Sequence, residues 1–321
     1  MILCICPNPS IDTYAWIDSI TAGKVNRIKK EQRFPGGKGV HAALAVAELG
    51  EEVHLLAFWG GPTGKWIRKN CEKYGVICHG PEIADWSRTC FTFKSENTID
   101  ETEILGCGPS VNSNDLKKLK RIFQKLLSKA DCVSMSGSWP NGTGSTEYAE
   151  LISLANEVGK PTFLDCAGEQ LVNALEEKPY AVHVNQAEAD VVFHANETSL
   201  PDEALAQAGR NAVLLSEKCK YAVVSAGADG LYLASANEVF HAHCKIENVL
   251  SAVGSGDCLL GGLTVAFKRN MTQINMARMA AACGAANCLR PELGMLYKSD
   301  VENVWEQVRV RQINQTFKRQ R

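Results

Sequence analysis

The sequence GSGD, residues 254–257, contains the side chain and backbone groups best suited to chemistry. Gly254, Ser255 and Gly256 can present consecutive backbone N–H groups as an anion-binding nest at the start of a helix. Asp257 follows in the first turn, where the helix dipole alone favours an acidic residue. A carboxylate beside an anion nest can also accept a proton, and phosphoryl transfer to an alcohol needs both parts. We therefore predict Asp257 as a catalytic base.

A second glycine-rich stretch, PGGKGVHAALAVAELG, covers residues 35–50 and contains four glycines and a lysine. Glycine allows the backbone to approach a ligand closely, so such a loop before a helix can bring N–H groups onto an anionic or polyhydroxy molecule. A tight turn from strand to helix is the commoner use of a glycine cluster. This stretch alone leaves both alternatives open.

The elements that must position these residues alternate between short apolar runs and longer amphipathic segments. Strands are predicted over residues 2–6, 53–58, 132–136, 162–164, 181–185 and 221–225. Helices are predicted over residues 40–49, 63–74, 113–129, 145–158, 203–218, 256–270 and 274–289. This order predicts an α/β fold with a doubly wound, mostly parallel sheet flanked by helices.

Two regions interrupt the alternation, residues 13–34 and 88–107. The second contains RTCFTFKS and TETEIL, which have the polar and apolar alternation of half-exposed antiparallel strands. Both regions can belong to one small sheet laid over the main domain. Ligands of open parallel sheets bind beyond the carboxyl ends of the strands, which makes the loops after the predicted strands the candidate site.

Composition excludes several classes of function. A chain of 321 residues with 45% hydrophobic content can bury a large core, and a net charge of −2 gives no footprint for nucleic acid or an anionic membrane. No apolar run approaches the roughly 20 residues that span a bilayer. Thirteen scattered cysteines without a CxxC pair favour small buried side chains over zinc ligands or disulfides. We expect a cytoplasmic protein with a solvated, frayed basic tail at 313–321.

The chain resembles the ribokinase-like carbohydrate kinases of the phosphofructokinase B family, in particular the branch of 1-phosphofructokinases and tagatose-6-phosphate kinases. The motifs occur in the family's order over nearly the whole chain: NPSID, PGGKG, SRT, TEIL, SGS, LDCAGE, NQAE, SAGADG, GSGD and AANCLRP. The resemblance implies a kinase core formed by residues 1–12, 35–86 and 108–312. It also implies a β-sheet lid formed by residues 13–34 and 87–107.

The resemblance further implies an acceptor site formed by Asp12, Gly36, Gly37, Lys38, His41, Arg88 and Ser138. Asp12 would bind hydroxyls of the sugar, and the two glycines would let the backbone approach it. Lys38 and Arg88 would hold a phosphate that the acceptor already carries. Without the resemblance, both cations are ordinary solvated surface residues.

On the donor side the resemblance implies a nucleotide site formed by Asn185, Glu188, Ser225, Gly227, Gly230, Ala282, Cys283 and Asn287. Asn185 and Glu188 would organise a hydrated Mg²⁺ on ATP, although their spacing equally fits a helix cap with a capping-box acid. Ala282, Cys283 and Asn287 would line the adenine pocket. Gly256 would complete the nest for the γ-phosphoryl group. A monovalent cation near these loops is compatible with the resemblance, but no single residue indicates one.

Three positions depart from the family pattern. His41 and Cys90 stand where related chains usually have asparagine, and Ser255 replaces the alanine of GAGD. The serine keeps the N–H groups of the nest. His41 either binds the acceptor or packs on the first helical turn, and Cys90 is a weak partner for hydroxyls. These two changes leave the identity of the sugar open.

The expected function is ATP-dependent phosphorylation of the primary hydroxyl of a ketohexose phosphate. Fructose 1-phosphate is the leading acceptor, followed by tagatose 6-phosphate or fructose 6-phosphate. Two alternatives remain: a kinase of an unphosphorylated sugar or nucleoside, and a non-catalytic sensor of sugar phosphates or nucleotides. Lid strands of two subunits often pack together in this family, which suggests a homodimer formed through the lid.

Overall fold

The computed structural model describes residues 1–95, 101–193 and 205–313. Its strands are β1 (Ile2–Cys6), β2 (Ser10–Ile17), β3 (Lys30–Gly36), β4 (Val53–Ala57), β5 (Trp59–Gly60), β6 (Ile77–His79), β7 (Glu82–Ile83), β8 (Arg88–Ser95), β9 (Glu101–Ile104), β10 (Cys132–Ser136), β11 (Thr162–Asp165), β12 (Ala181–Asn185), β13 (Tyr221–Ser225), β14 (Leu231–Ala234), β15 (Val239–His243) and β16 (Arg309–Ile313). Its helices are α1 (Lys38–Glu48), α2 (Gly61–Lys73), α3 (Ser113–Leu127), α4 (Glu147–Glu157), α5 (Gly168–Glu176), α6 (Gln186–Phe193), α7 (Gln207–Leu215), α8 (Ser255–Lys268), α9 (Gln273–Cys288) and α10 (Lys298–Trp305).

The central sheet has the strand order β16-β15-β14-β13-β12-β11-β10-β1-β4-β6. The strands from β13 to β6 in this order run parallel, whereas β14, β15 and β16 pair antiparallel at one edge. Alternate residues of β1 enter the apolar clusters on opposite faces of the sheet, with Ile2 and Cys4 in one and Leu3 and Ile5 in the other. Burial on both faces explains the continuous apolar runs of the strands. The prediction of a mostly parallel, doubly wound sheet is confirmed.

Strands from the described parts of the two regions that interrupt the alternation form one separate sheet with the order β3-β2-β8-β9, whereas residues 96–100 lie outside the described residues. β8 and β9 pair antiparallel, as their alternating pattern predicts, and β2 pairs parallel with β8. The register places both Gly36 and Arg88 opposite Ser10, and Cys90 opposite Asp12. The small sheet thus brings the ends of three sequence segments to one point beside the central sheet.

Four of the six predicted strands have the predicted bounds, and the ends of the other predicted elements shift by at most four residues. Three helices and the strands β5, β6, β7, β14 and β16 were not predicted. α5 has only nine residues, α6 begins directly after β12, and α10 has only eight residues. Such short helices give little periodic signal. The start of the helix predicted over 203–218 and the basic tail beyond residue 313 lie outside the described residues. All thirteen cysteines are free, and no helix in the described residues has the length and apolarity to cross a membrane.

Gly230 lies between β13 and β14, where the backbone of a neighbouring strand leaves no room for a side chain. Its φ is +87°, and a Cβ built there would lie 2.2 Å from the carbonyl oxygen of Ala242. Gly75 has a similar φ of +81° but open space around a built Cβ.

We expect Gly75→Ala to lower the free energy of unfolding by about 1 kcal/mol through backbone strain. Gly230→Ala should lower it by about 1–3 kcal/mol beyond that loss, because the added Cβ also overpacks the site.

Urea unfolding followed by circular dichroism measures both losses. Gly75→Ala is the matched control, because it carries the φ strain without the steric contact. Equal losses in the two variants would contradict the contact with β15.

Candidate active site

A cleft of about 620 Å³ lies where the carboxyl ends of the central strands meet the small sheet. Most of the predicted site residues line it, although they come from segments far apart in the sequence: Asp12, Gly37, Lys38, His41, Arg88, Ser138, Asn185, Glu188, Ser225, Gly227, Gly254, Ser255, Gly256 and Asp257. The cleft therefore combines the predicted acceptor side, the anion nest and part of the predicted donor side. Cys90 also lines it.

Five predicted residues do not line the cleft, namely Gly36, Gly230, Ala282, Cys283 and Asn287. A Cβ at Gly36 would lie 2.1 Å from Cγ of Asp12, so this glycine makes room for the carboxylate. Ala282 and Cys283 are fully buried in α9, where Cys283 packs on Gly262. In this structure they have no surface to offer adenine, and their assignment to a nucleotide pocket stays a prediction.

Asn287 stabilises the turn that forms the nest. Its Nδ2 donates to the carbonyl oxygen of Val253 at 3.0 Å, and its side chain is 1% exposed. Gly254 caps α8 with a φ of +84°, and a Cβ there would lie 2.2 Å from Cα of Gly294. The turn that begins the helix is therefore fixed by α9 and by the segment after it.

Asp257 lies in the first turn of α8, and its carboxylate is largely buried. The N–H groups at this end of the helix lack intrahelical acceptors, so they can bind an anion in the cleft. The structure thus places a carboxylate directly beside the N-terminus of the helix, as the GSGD sequence predicts.

His41 lies between two carboxylates. Its Nδ1 is 2.8 Å from Oδ2 of Asp257, and its Nε2 is 3.3 Å from Oδ2 of Asp12, where the angle is poor for a hydrogen bond. Burial opposes protonation of the ring, but contact with Asp12 and Asp257 outweighs it and raises the pKa of His41 to about 10. Burial alone would also raise the pKa of Asp12, whereas contact with His41 holds it below its ordinary value.

The structure shows the packing predicted for His41, whereas its binding of an acceptor stays a prediction. The ring does pack in the first turns of α1 and is only 3% exposed. It also faces the cleft and contacts two of the candidate functional residues. The sequence could not reveal these contacts, because they join α1 to β2 and α8 across as many as 216 residues.

Lys38 belongs to a second buried network that sequence reasoning missed. Its Nζ donates to Oδ1 of Asp165 at 2.6 Å and lies 3.6 Å from Oε1 of Glu188. The other oxygen of Asp165 is 2.7 Å from Nδ1 of His183, whose Nε2 is 3.1 Å from Oγ of Ser225. Asp165 follows a predicted strand, so the rule that ligands bind at strand ends could have identified it.

The charges in this network stabilise one another. Burial opposes ionisation of Asp165, but the Lys38 cation and His183 hold the pKa of Asp165 well below its ordinary value. Burial likewise opposes the charge of Lys38, and Asp165, Asp257 and Glu188 raise its pKa. Much of the positive charge of Lys38 is therefore balanced within the protein.

Arg88 has a different environment from Lys38. Its Nε donates to the carbonyl oxygen of Asn8 at 3.2 Å, and Nη1 donates to that of Gly106 at 3.3 Å. Within the described residues the guanidinium forms no ion pair, although it lines the cleft. Its charge is consequently available to an anionic ligand.

Asn185 and Glu188 form the reciprocal cap of α6. The N–H of Asn185 donates to Oε2 of Glu188 at 2.9 Å, and the N–H of Glu188 donates to Oδ1 of Asn185 at 2.8 Å. Both residues still line the cleft. One carboxylate and an amide beside open space suit Mg²⁺, which binds few protein ligands and keeps several waters. The capping function is thus compatible with a metal function.

The comparisons with known proteins agree with this geometry. The family model described as pfkB family carbohydrate kinase matches residues 7–296. A possible 1-phosphofructokinase from Thermotoga maritima is 25% identical, with 98% of this chain and 100% of that chain covered and a TM-score of 0.86.

Two further solved structures share the fold. The tetrameric inhibited form of phosphofructokinase-2 from Escherichia coli is 25% identical, with 95% of this chain and 98% of that chain covered and a TM-score of 0.85. A carbohydrate kinase from Agrobacterium tumefaciens is 18% identical, with 97% of this chain and 99% of that chain covered and a TM-score of 0.76.

The family model and the fold both place the chain among the sugar kinases. Because the family model covers most of the sequence, the chain belongs to the pfkB family of carbohydrate kinases. The predicted resemblance and the ribokinase-like fold with a small separate sheet are confirmed.

Asp165→Asn tests the network around Lys38. The carboxylate is 1% exposed, and its loss leaves the Lys38 cation without its main partner. We expect a loss of about 3 kcal/mol in the free energy of unfolding, the low end for a broken buried pair, since Lys38 is partly exposed. Glu176→Gln is the control, because Glu176 and its partner Lys218 are both largely exposed, and it should cost under about 1 kcal/mol.

Urea midpoints measured from pH 7 to pH 3 give a second test. The folded pKa of Asp165 is lowered, so its ionised form stabilises the fold at neutral pH and this contribution disappears as the pH falls. The difference between the wild type and Asp165→Asn should therefore shrink on acidification. A difference that stays constant would contradict the ionised pair.

Proposed function

We propose that the protein transfers the γ-phosphoryl group of ATP to the primary hydroxyl of a ketohexose phosphate. Fructose 1-phosphate, giving the 1,6-bisphosphate, is the favoured acceptor, with tagatose 6-phosphate or fructose 6-phosphate next. The observation that carries the proposal is the carboxylate of Asp257 beside the N-terminus of α8, in the same cleft as Asp12. The similarity to a possible 1-phosphofructokinase supports the choice of acceptor.

In this proposal Asp257 takes the proton of the attacking hydroxyl. The hydroxyl oxygen bonds to the γ-phosphorus, the bond from that phosphorus to the bridging oxygen breaks, and ADP leaves. The N–H groups at residues 254–256 and the helix dipole stabilise the charge that develops on the transferring group. The general base thus acts on the attacking hydroxyl, and the anion nest acts on the phosphoryl group that is transferred.

Asp12 and Arg88 would fix the acceptor. The Asp12 carboxylate can accept hydrogen bonds from sugar hydroxyls, and the Arg88 guanidinium can bind the existing phosphate with two parallel N–H donors. Lys38 belongs to the same proposal, but its pairing with Asp165 favours Arg88 as the stronger anchor. Ser138 lines this side and lies 3.5 Å from Nδ2 of Asn8.

Asn185, Glu188, Ser225 and Gly227 would bind the donor. When bound, Mg²⁺ neutralises charge on the donor phosphates, and Glu188 with Asn185 would hold its waters. Gly227 has a φ of +56° with no atom within 4 Å of a built Cβ, so the backbone there is open to a ligand. A monovalent cation near these loops stays a prediction.

The small sheet would act as a lid that excludes water and so suppresses ATP hydrolysis. The sheet and its connections expose several large apolar side chains in the described residues, including Val25 between β2 and β3 at 83% and Ile104 in β9 at 55%. Burial of these side chains against a second copy supports a homodimer formed through the lid. The free cysteines favour action in the cytoplasm.

A non-catalytic sensor remains the second candidate, because the proposed base is already in contact with His41. Such a protein would bind phosphosugar or nucleotide without turnover. A thermal shift with ADP and Mg²⁺, or with a phosphosugar, would then appear in the absence of ADP release from ATP.

Asp257→Asn is the direct test of the base. Coupled ADP release is measured with ATP, Mg²⁺ and a panel of fructose 1-phosphate, fructose 6-phosphate, tagatose 6-phosphate, fructose, ribose and adenosine. We expect turnover only with phosphosugars and a fall in kcat of at least about 100-fold in the variant. Asp115→Asn is the control, because Asp115 is also a buried acid in the first turn of a helix but lies outside the cleft.

Two results would contradict this proposal. Turnover confined to an unphosphorylated acceptor would overturn the phosphosugar assignment. Full activity of Asp257→Asn would overturn the assignment of the base.

Arg88→Gln tests the phosphate anchor. Loss of one charge-assisted contact, about 1.5–3 kcal/mol, should raise KM for the phosphosugar by roughly 10- to 100-fold. KM for ATP should change little. Arg33→Gln, at an exposed arginine on β3, is the control. An equal rise in KM for ATP and for the phosphosugar would contradict this assignment, because loss of an anchor for the acceptor phosphate should change KM for ATP little.

A further inference from the structure

We propose that His41, as an imidazolium, is a positioning residue that holds the acceptor-binding carboxylate Asp12 and the base Asp257 at a fixed spacing. This inference rests on the proposed function, because it needs the two carboxylates to act on one acceptor. It assigns a role to the position where the sequence departs from the asparagine of related chains.

The geometry requires both ring nitrogens to face oxygen acceptors. Nδ1 is 2.8 Å from Asp257 and Nε2 is 3.3 Å from Asp12. A neutral imidazole has only one N–H, so its second nitrogen would direct a lone pair at a carboxylate. The imidazolium donates to Asp257 through Nδ1, and at Nε2, where the angle is poor for a hydrogen bond, its positive charge still attracts Asp12. The cation is therefore the form that fits this site.

Packing fixes the plane and position of the ring. A Cβ at Gly294 would lie 2.1 Å from Cγ of His41, and one at Gly254 would lie 3.2 Å from Nδ1. Both positions have positive φ, +64° and +84°, which glycine adopts without strain. The backbone at these glycines covers the ring so closely that the imidazole has little freedom to leave the two carboxylates.

Asp12 and Asp257 contact the ring, and Glu103 interacts with it electrostatically. On the same helix Lys38 interacts with Asp257, while Arg88 interacts with Asp12, and Cys6 with Arg88 and Asp257. Lys38 is paired with Asp165 and Glu188, and its charge also acts on Asp257. Burial and the nearby Asp12 raise the pKa of Glu103, which shows the excess of negative charge on this side. Without the imidazolium, Arg88 and an already paired Lys38 would have to balance three more carboxylates and an anionic acceptor.

The direction of the pH effect follows from the raised pKa. His41 is charged below its folded pKa of about 10 and loses its second N–H as the pH rises through that value. The link between Asp12 and Asp257 is then broken. We therefore expect kcat to decline at high pH with a midpoint near 10.

The experiment combines nuclear magnetic resonance with kinetics on the full chain. Histidines are labelled with ¹⁵N in the wild type, in His41→Asn and in His243→Asn. His243 is a half-exposed histidine on β15 and serves as the matched control. At pH 8.5 the spectrum of the wild type should contain the imidazolium signal of His41, with both nitrogens protonated. This signal should be lost in His41→Asn and kept in His243→Asn.

Kinetics use the acceptor that the wild type phosphorylates. An asparagine side chain carries no charge, and both of its N–H donors are on one nitrogen instead of on opposite sides of a ring, so the base is held less firmly. His41→Asn should lower kcat by roughly 10- to 100-fold, the cost of a small misplacement of a catalytic group. It should change KM for the acceptor less and remove the decline of kcat at high pH. If His41→Asn does not fold, His41→Gln takes its place.

Each outcome bears on the inference. A neutral His41 at pH 8.5 overturns it, as does a variant with the kcat and pH profile of the wild type. A purely structural role would lower stability without removing the decline at high pH. If the wild type phosphorylates no acceptor, the proposed function fails and the positioning role fails with it, while the resonance signal still decides separately whether the imidazolium bridge exists.

Discussion

Negative charge is the main physical constraint on this cleft. Asp12, Asp165, Glu188 and Asp257 all line it, and the proposed substrates are anions as well. Carboxylates that are withdrawn from water within one cleft must be balanced by cations or must take up protons. The structure balances them in two groups. His41 lies between Asp12 and Asp257, and Lys38 lies between Asp165 and Glu188. Arg88 remains available for a ligand.

This arrangement depends on close backbone packing around the charged groups. Gly36 makes room for the Asp12 carboxylate, and Gly294 makes room for the ring of His41. Asn287 fixes the turn before Asp257 through the carbonyl oxygen of Val253. None of these three residues lines the cleft, yet each fixes one that does. Their contribution to function would therefore be the geometry of the site.

The sequence predicts much of the fold and part of the site. Long apolar strands such as β1 and the GSGD turn are identified from local pattern, because burial on both faces and a helix start have local sequence requirements. Pairings could not be predicted in this way. The contact of Lys38 with Asp165 spans 127 residues, and that of His41 with Asp257 spans 216.

A short motif also does not predict which face of a helix is buried. The AANCLRP motif predicts Ala282 and Cys283 in an adenine pocket. In the structure both side chains are fully buried, and Cys283 packs on Gly262 of α8. The NQAE motif shows the reverse case. Its capping box is formed, as the spacing allows, and the same two side chains still line the cleft. The spacing therefore allowed the cap that the structure shows, but it did not decide between a cap and a metal site.

The most direct test of the central claim is the fate of the γ-phosphoryl group, followed by ³¹P nuclear magnetic resonance with ATP, Mg²⁺ and fructose 1-phosphate. If the cleft joins a general base, an anion nest and an acceptor site, a new phosphomonoester signal of the sugar bisphosphate should grow in step with ADP, one for one. Release of inorganic phosphate with ADP, without a new sugar phosphomonoester, would contradict this account of the cleft.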